Sequence, residues 1–296
     1  MLVFYKLWKG VLCTLYKNPF EPRQFMKEKY IEFHYSYDEI PPEIEFHQHT
    51  FYEIYFFLSG NVNYIIEGRN YKLRPGDILF TNKTDIHRPD VHPGKPYERI
   101  VVWIAEEYID ILKNYFNEDL TSCFTDAALN DYRLSRPDGE TIMILKTLCT
   151  KIAAAKESSE IGNSVLVSAY LIEFLIYVIR AYYDTPDSIK KDVTENEKIN
   201  QIIKYINENL TEDFSLDKIS NQFFISKSYL SRLFKQFTGL SLYQYIMKKR
   251  LTIARNMLRN GNSVTNAYLM CGFNDYSNFL KAFKREFGQN PSDYIL

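Results

Sequence analysis

Between residues 31 and 104 apolar and polar positions alternate with a period near two, in runs rich in aromatic and β-branched side chains. The runs are broken by "SGN", "EGRN", "RPGD" and "HPGKP". Strand side chains project to alternate faces, and Gly, Pro, Asn and Asp supply turn geometry, so this pattern predicts an antiparallel β region. From about Glu106 the period lengthens toward that of a helix, most plainly in "TIMILKTLCTKIAAA" and "SVLVSAYLIEFLIYVIRAYY". The second run is apolar nearly all round, which predicts a helix covered by its own domain on one side and by another copy of the chain on the other. The polar "DTPDSIKKDVTENEK" reads as a linker, and everything after it as helix. The predicted division is an N-terminal arm over 1–30, a β domain over 31–115, a helical dimerisation region over 116–184, a linker over 185–195 and an all-α domain over 196–296.

The all-α part contains a repeat. A shift of 49 aligns Ser228, Leu230, Arg232, Phe234, Lys235, Gly239, Tyr245 and Ile246 with Ser277, Phe279, Lys281, Phe283, Lys284, Gly288, Tyr294 and Ile295. The same supersecondary unit therefore occurs twice. In the first copy Ser215 and Ser226 are N-caps of two successive helices, and Gly239 supplies a left-handed stop. Leu230, Leu233, Phe234 and Phe237 form one face of the second helix, with Lys227, Ser228, Ser231, Arg232 and Lys235 toward the other. A cationic, hydroxyl-rich helix after a tight turn suits the major groove of double-stranded DNA.

Charge supports that reading. The net −1 hides an asymmetry: residues 1–193 hold 22 Lys+Arg against 28 Asp+Glu, and residues 194–296 hold 14 against 9. No acidic residue occurs from Lys218 to Asn274, a span with nine basic ones. Clustered cations favour a polyanion through counterion release. The 46% hydrophobic and 16% aromatic content of 296 residues can fill more than one core. Lys6 and Lys9 interrupt the opening apolar run, and Glu173 and Arg180 keep "AYLIEFLIYVIRAYY" short of the roughly 20 apolar residues that span a bilayer, so neither a signal peptide nor a membrane segment is expected. Four widely spaced cysteines match no zinc or disulfide framework and predict a reducing, cytoplasmic setting.

The run "SKSYLSRLFKQFTGLSLYQYIMKKRLTIARNML", followed by "CGFNDYSNFLKAFKREFGQNPSDY", resembles the AraC/XylS class of transcription regulators over nearly all of residues 214 to 294. The resemblance implies two helix-turn-helix units joined by a long helix over about Leu242 to Asn260, and recognition helices that begin near Lys227 and Asp275. It places base-reading positions at Ser228, Ser231 and Arg232, and around Asn274, Ser277, Asn278 and Lys281. It also implies an activator that contacts RNA polymerase. Two departures stand out: Ser220 and Tyr268 occupy places where the family has alanine, the first a mild change and the second large enough to predict a tilted or weak second unit, and Lys281 exchanges a planar fork for a point charge.

His47, His49 and Glu53 are all odd-numbered and would share one strand face. Their spacing resembles the first cupin motif, and "RPGDILFTNKTDIH" resembles the second, with His87 at the fourth-ligand place. Taken alone this set suits iron, manganese, nickel or zinc. Ahead of two helix-turn-helix units it resembles the family's sensor half, which predicts a polar pocket without metal or other cofactor, in which His47, His49, Glu53 and His87 orient a sugar-sized effector. The expected fold class is multi-domain α+β: an antiparallel, cupin-like barrel (double-stranded β-helix) with a helical dimerisation segment, then an all-α domain. The expected function is a homodimeric, ligand-responsive regulator, with a DNA-tethered metal-cupin enzyme as the alternative. No Ser/His/Asp arrangement or phosphate-cradling glycine loop is found, so no catalytic residue is assigned.

Overall fold

A computed structural model describes residues 25–129, 132–186 and 192–295; most of the expected N-terminal arm lies outside them. Among the described residues nine strands pair in antiparallel fashion: β1 (Ile31–Asp38), β2 (Tyr52–Ser59), β3 (Val62–Ile66), β4 (Arg69–Lys72), β5 (Ile78–Thr81), β6 (His87–Val91), β7 (Tyr97–Ile104), β8 (Leu134–Ser135) and β9 (Val193–Thr194). They form two sheets, in the orders β1-β7-β2-β5-β8 and β6-β3-β4-β9, and do not close into the expected barrel. Period two explains how the sheets pack. Along β2, Tyr52, Ile54, Phe56 and Leu58 join a core shared with helices, while Tyr55 and Phe57 face Tyr64, Ile66 and Tyr71 of the other sheet.

The helical face is covered by α1 (Glu106–Phe116), α2 (Ser122–Leu129), α3 (Gly139–Glu157) and α4 (Asn163–Tyr183). Leu145, Leu148 and Ile152 of α3 pack with Leu171, Phe174, Leu175 and Val178 of α4 in that core. By length and composition α4 could cross a bilayer, contrary to the expectation from Glu173 and Arg180. Leu171, Phe174, Leu175 and Val178 form its buried stripe, residues such as Val167 and Ile172 are half-buried against it, and Val165, Leu166 and Tyr183 are exposed.

Of the expected linker, 187–191 lie outside the described residues, and 192–195 are anchored to the sheet-rich half. Val193 and Thr194 extend the second sheet, Glu195 accepts from Arg69 at 2.7 Å, and Asp192 pairs with Arg74 and Arg136 at 2.7 and 2.6 Å.

The remaining helices are α5 (Glu197–Glu208), α6 (Leu216–Gln222), α7 (Lys227–Thr238), α8 (Leu242–Arg259), α9 (Val264–Met270) and α10 (Tyr276–Phe287). The repeat is visible as two pairs of equal length, α6–α7 and α9–α10, on either side of α8. Ser215, Ser226, Ser241 and Ser263 cap their helices by accepting backbone N–H groups, and Gly239 and Gly288 end α7 and α10 at φ 70° and 73°. Tyr268 turns toward the Tyr276 and Phe279 rings, at 5.4 and 6.1 Å, while small Ala267 takes the fully buried place.

The two halves share a core. Phe46 and Ile86 from the sheet-rich half sit among Ile199 and Ile203 of α5, Leu230 and Phe234 of α7 and Tyr245 of α8. At Gly239 a Cβ would fall 2.0 Å from the Phe46 ring, so only glycine fits. Beside this contact the two-residue hairpin turn Glu67-Gly68, at φ 48° and 78°, pushes a carboxylate into the helical half. Glu67 is buried and accepts from Lys249 Nζ at 2.8 Å, from the Ile86 amide at 2.5 Å, from Asn207 at 3.3 Å and from the Tyr245 hydroxyl.

Candidate functional site

A cavity of about 1100 Å³ opens between the sheets and the helical half. Its floor is the inward face of β7, where Tyr97, Arg99, Val101 and Trp103 stand at alternate positions. Glu53, Tyr55 and Tyr64 continue it, His47 and Phe46 stand at one side, and Lys248, Arg285 and Glu286 enter from the helical half. The β region expected over 31–104 includes β7, but sequence reasoning named none of its residues in the site, although an arginine at an inward position of the apolar strand "YERIVVWI" was a usable signal. Arg99 is buried, pairs with Asp38 and lies 4.0 Å above the Tyr97 ring.

His47, His49, Glu53 and His87 do converge, though not from one strand face. Only Glu53 lies in β2; His49 precedes the strand, and His47 forms an isolated bridge with His87, which opens β6 in the other sheet. The correction has a simple cause: the chain leaves extended pairing between His47 and Tyr52, so residue parity no longer sets direction there. The Nε2 atoms of His49 and His87 approach the Glu53 carboxylate at 3.4 and 3.7 Å. Glu53 also accepts from Trp103 Nε1 at 2.7 Å and from the Tyr64 hydroxyl at 3.3 Å. Burial acts to raise its carboxyl pKa, but the hydrogen-bonding contact with His49 and the charges of the facing imidazoles outweigh it and hold the group below the usual carboxylate range. Burial lowers His47 and His87, the latter strongly. Tyr64 is raised by burial and by the Glu53 charge.

The second site is the exposed face of the helix-turn-helix units. Lys227, Ser228, Ser231, Arg232 and Lys235 are exposed on α7, opposite buried Leu230, Leu233 and Phe234. Ser277, Asn278 and Lys281 are exposed on α10, opposite Phe279, Ala282 and Phe283, with Asn274 exposed in the turn before it. Charge counted along the chain is not unpaired charge on the folded surface. Lys249, Arg250 and Arg255 are buried, Lys218 pairs with Glu212 at 2.6 Å, and Lys227 and Lys248 pair with Asp217 and Glu286. Arg232 and Lys235 have no carboxylate within ion-pair distance among the described residues.

A sheet-rich half with a polar cavity, joined to two helix-turn-helix units, defines a ligand-responsive DNA-binding regulator. The AraC-like ligand binding domain model matches residues 30–175 and the helix-turn-helix domain model residues 219–295. The chain belongs to the AraC/XylS family of transcriptional regulators. It is similar to the HTH-type transcriptional activator RhaR of Mannheimia succiniciproducens, at 24% identity over 86% of this chain and 87% of that one. It is also similar to the activator RhaS of Salmonella arizonae, at 26% identity over 83% and 86%. A solved structure of fatty-acid-bound ToxT from Vibrio cholerae aligns over 91% of this chain and 96% of that chain, at 13% identity and a TM-score of 0.40, too distant to argue from.

Proposed function

We propose that this protein is a cytoplasmic transcriptional activator and not an enzyme, and that a polar metabolite of sugar-like chemistry occupies the cavity and alters how the helix-turn-helix units engage DNA. The observation that carries the reading is the shared wall: His47, Glu53 and Tyr64 from the sensing half face the same cavity as Lys248 and Glu286 from α8 and α10. A ligand there touches both halves at once. Aromatic rings and fixed acceptors suit a hydroxyl-rich ring, and the volume lies just above the roughly 300–1,000 Å³ usual for ligand pockets. Arg232, Ser228 and Ser231 would read bases in one major groove, with Ser277, Asn278 and Lys281 in the next. Activation by contact with RNA polymerase, and pairing of two chains through the α3–α4 helices, complete the reading; the relatives named above are activators.

The test maps the binding sites of the full chain, then measures affinity for one such site with and without a panel of sugars and sugar acids. Glu53→Gln should abolish or shift the response to the active compound and leave effector-free affinity within about twofold. Specific DNA binding that no panel compound alters, together with a wild-type response in Glu53→Gln, would remove the sensing half of the proposal.

A further inference from the structure

The turns of the two helix-turn-helix units share one hydrogen-bond pattern. After α6 the Phe224 and Ile225 amides donate to the Asn221 and Ser220 carbonyls, at 3.3 and 2.9 Å; after α9 the Gly272 and Phe273 amides donate to the Leu269 and Tyr268 carbonyls, at 3.2 and 3.4 Å. Phe224 and Gly272 therefore hold the same position of the repeat, and both are left-handed, at φ 53° and 74°. In the second unit only glycine fits, because a Cβ would fall 2.8 Å from the Thr211 main chain. The first unit places there a phenylalanine, a bulky residue that rarely adopts this conformation.

Folding gains nothing from that ring. Phe223 and Ile225 on either side pack against the core shared by the two halves, but Phe224 joins no apolar cluster among the described residues and is 95% exposed. The backbone is strained and the ring buries no area to offset the strain, a combination that points to a role outside the fold.

Position supplies the partner. A helix-turn-helix lays its second helix in the major groove while its first crosses the backbone, so the turn between them passes the edge of the groove. Phe224 precedes Lys227, the first residue of α7, by a reach of at most about 11 Å, and the groove is about 12 Å wide. The exposed Ser228, Ser231, Arg232 and Lys235 follow on the helix, so the surroundings of the ring suit a polyanion. A phenyl ring forms no hydrogen bond with a phosphate; what it can cover on a duplex is carbon, either deoxyribose or the thymine methyl group.

We propose that Phe224 is a DNA contact of the first helix-turn-helix unit, its ring lying on deoxyribose or thymine-methyl carbon at the edge of the major groove that α7 enters. Gly272 leaves the second unit without this contact, so the first unit holds DNA by an apolar element that the second lacks. The contact presupposes α7 in a major groove, as in the proposed function, and Arg232→Ala reports on that separately.

The experiment uses the full chain without effector and a binding site mapped as above. Phe224→Gly should melt at or above the wild-type temperature, because glycine relieves the left-handed strain. It should bind the site about fivefold more weakly, the loss that corresponds to roughly 40 Å² of ring no longer removed from water. Phe224→Tyr, which keeps the ring, should bind within about twofold of wild type. The slope of affinity against salt should be the same in wild type and Phe224→Gly, because no cation is lost. Replacing every thymine of the site by uracil distinguishes the two kinds of carbon: the ring covers a thymine methyl if the difference between wild type and Phe224→Gly disappears, and deoxyribose if it persists. Weaker binding by Arg232→Ala with wild-type affinity in Phe224→Gly overturns the contact and keeps α7 in the groove; wild-type affinity in both variants removes both. A melting temperature of Phe224→Gly well below wild type makes the ring part of the fold and overturns the proposal. Lost transcriptional activation at wild-type DNA affinity also overturns it, by assigning the ring to a protein.

Discussion

Arg232 has the clearest individual role on the DNA-facing side. It is exposed on α7, its guanidinium is 5.8 Å from the Tyr229 ring centre, and it has no competing carboxylate among the described residues. Arginine forks match the acceptor pair on a guanine edge, so Arg232→Ala should weaken binding to a mapped site by about 1–3 kcal/mol and relax base preference at one position. Equal losses on specific and random DNA in a gel-shift comparison would assign it to phosphate instead. Lys248, which chain position alone would make a phosphate contact, is held by Glu286 beside the cavity. Two lysines of the same cationic run thus have different partners: Lys248 faces the ligand cavity and Lys249 the buried Glu67.

At the scale of elements, α4 buries one apolar stripe in the core and exposes apolar residues at its N-terminal end. Leu175 is 1% exposed and packs in the core, so a charge there would unfold the domain rather than separate two chains. Val165 is 69% exposed, Leu166 43%, and Ile161 just before the helix is fully exposed. If pairing of chains uses this end of α4, Val165→Glu combined with Leu166→Glu should give monomers of unchanged melting temperature, measured by light scattering on a size-exclusion column at micromolar protein. A double variant that elutes as wild type would place the contact elsewhere.

For the whole molecule, Glu67 and Lys249 join the halves. Burial tends to raise the Glu67 carboxyl, but the Lys249 charge and hydrogen bonds from Lys249, Tyr245 and the Ile86 amide outweigh it, and its pKa is lowered. A carboxyl depressed in the folded state contributes stability that is complete above its unfolded pKa, roughly 4.3, and is lost as pH falls below that toward the folded value. Glu67→Gln leaves Lys249 buried without its counter-charge and should cost about 3–5 kcal/mol at neutral pH in urea unfolding. The difference between wild type and variant should shrink steadily below about pH 4. A constant difference from pH 7 to pH 3 would show that another group anchors the interface.

Local rules made much of this chain legible in its sequence. The caps Ser215 and Ser226, the stops Gly239 and Gly288 and the helical faces of α7 and α10 depend on neighbours a few residues away, and the repeat shows in the matched helix pairs. Alternation located the strands for the same reason. Features that depend on distant partners were decided only by the fold. Whether strands close into a barrel rests on pairing between segments far apart in the chain, and here they form two sheets. Which cations are left without a carboxylate partner was likewise settled by the contacts of Glu67, Glu212 and Glu286. The histidine cluster combines both levels: residue spacing named His47, His49, Glu53 and His87, but each imidazole is turned by its Nδ1 contact with the carbonyl of Glu45, Phe51 or Asp85, whose positions the irregular chain between His47 and Tyr52 and the entry to β6 determine. A hydrogen bond is set by direction as well as identity, and direction is a property of the folded chain.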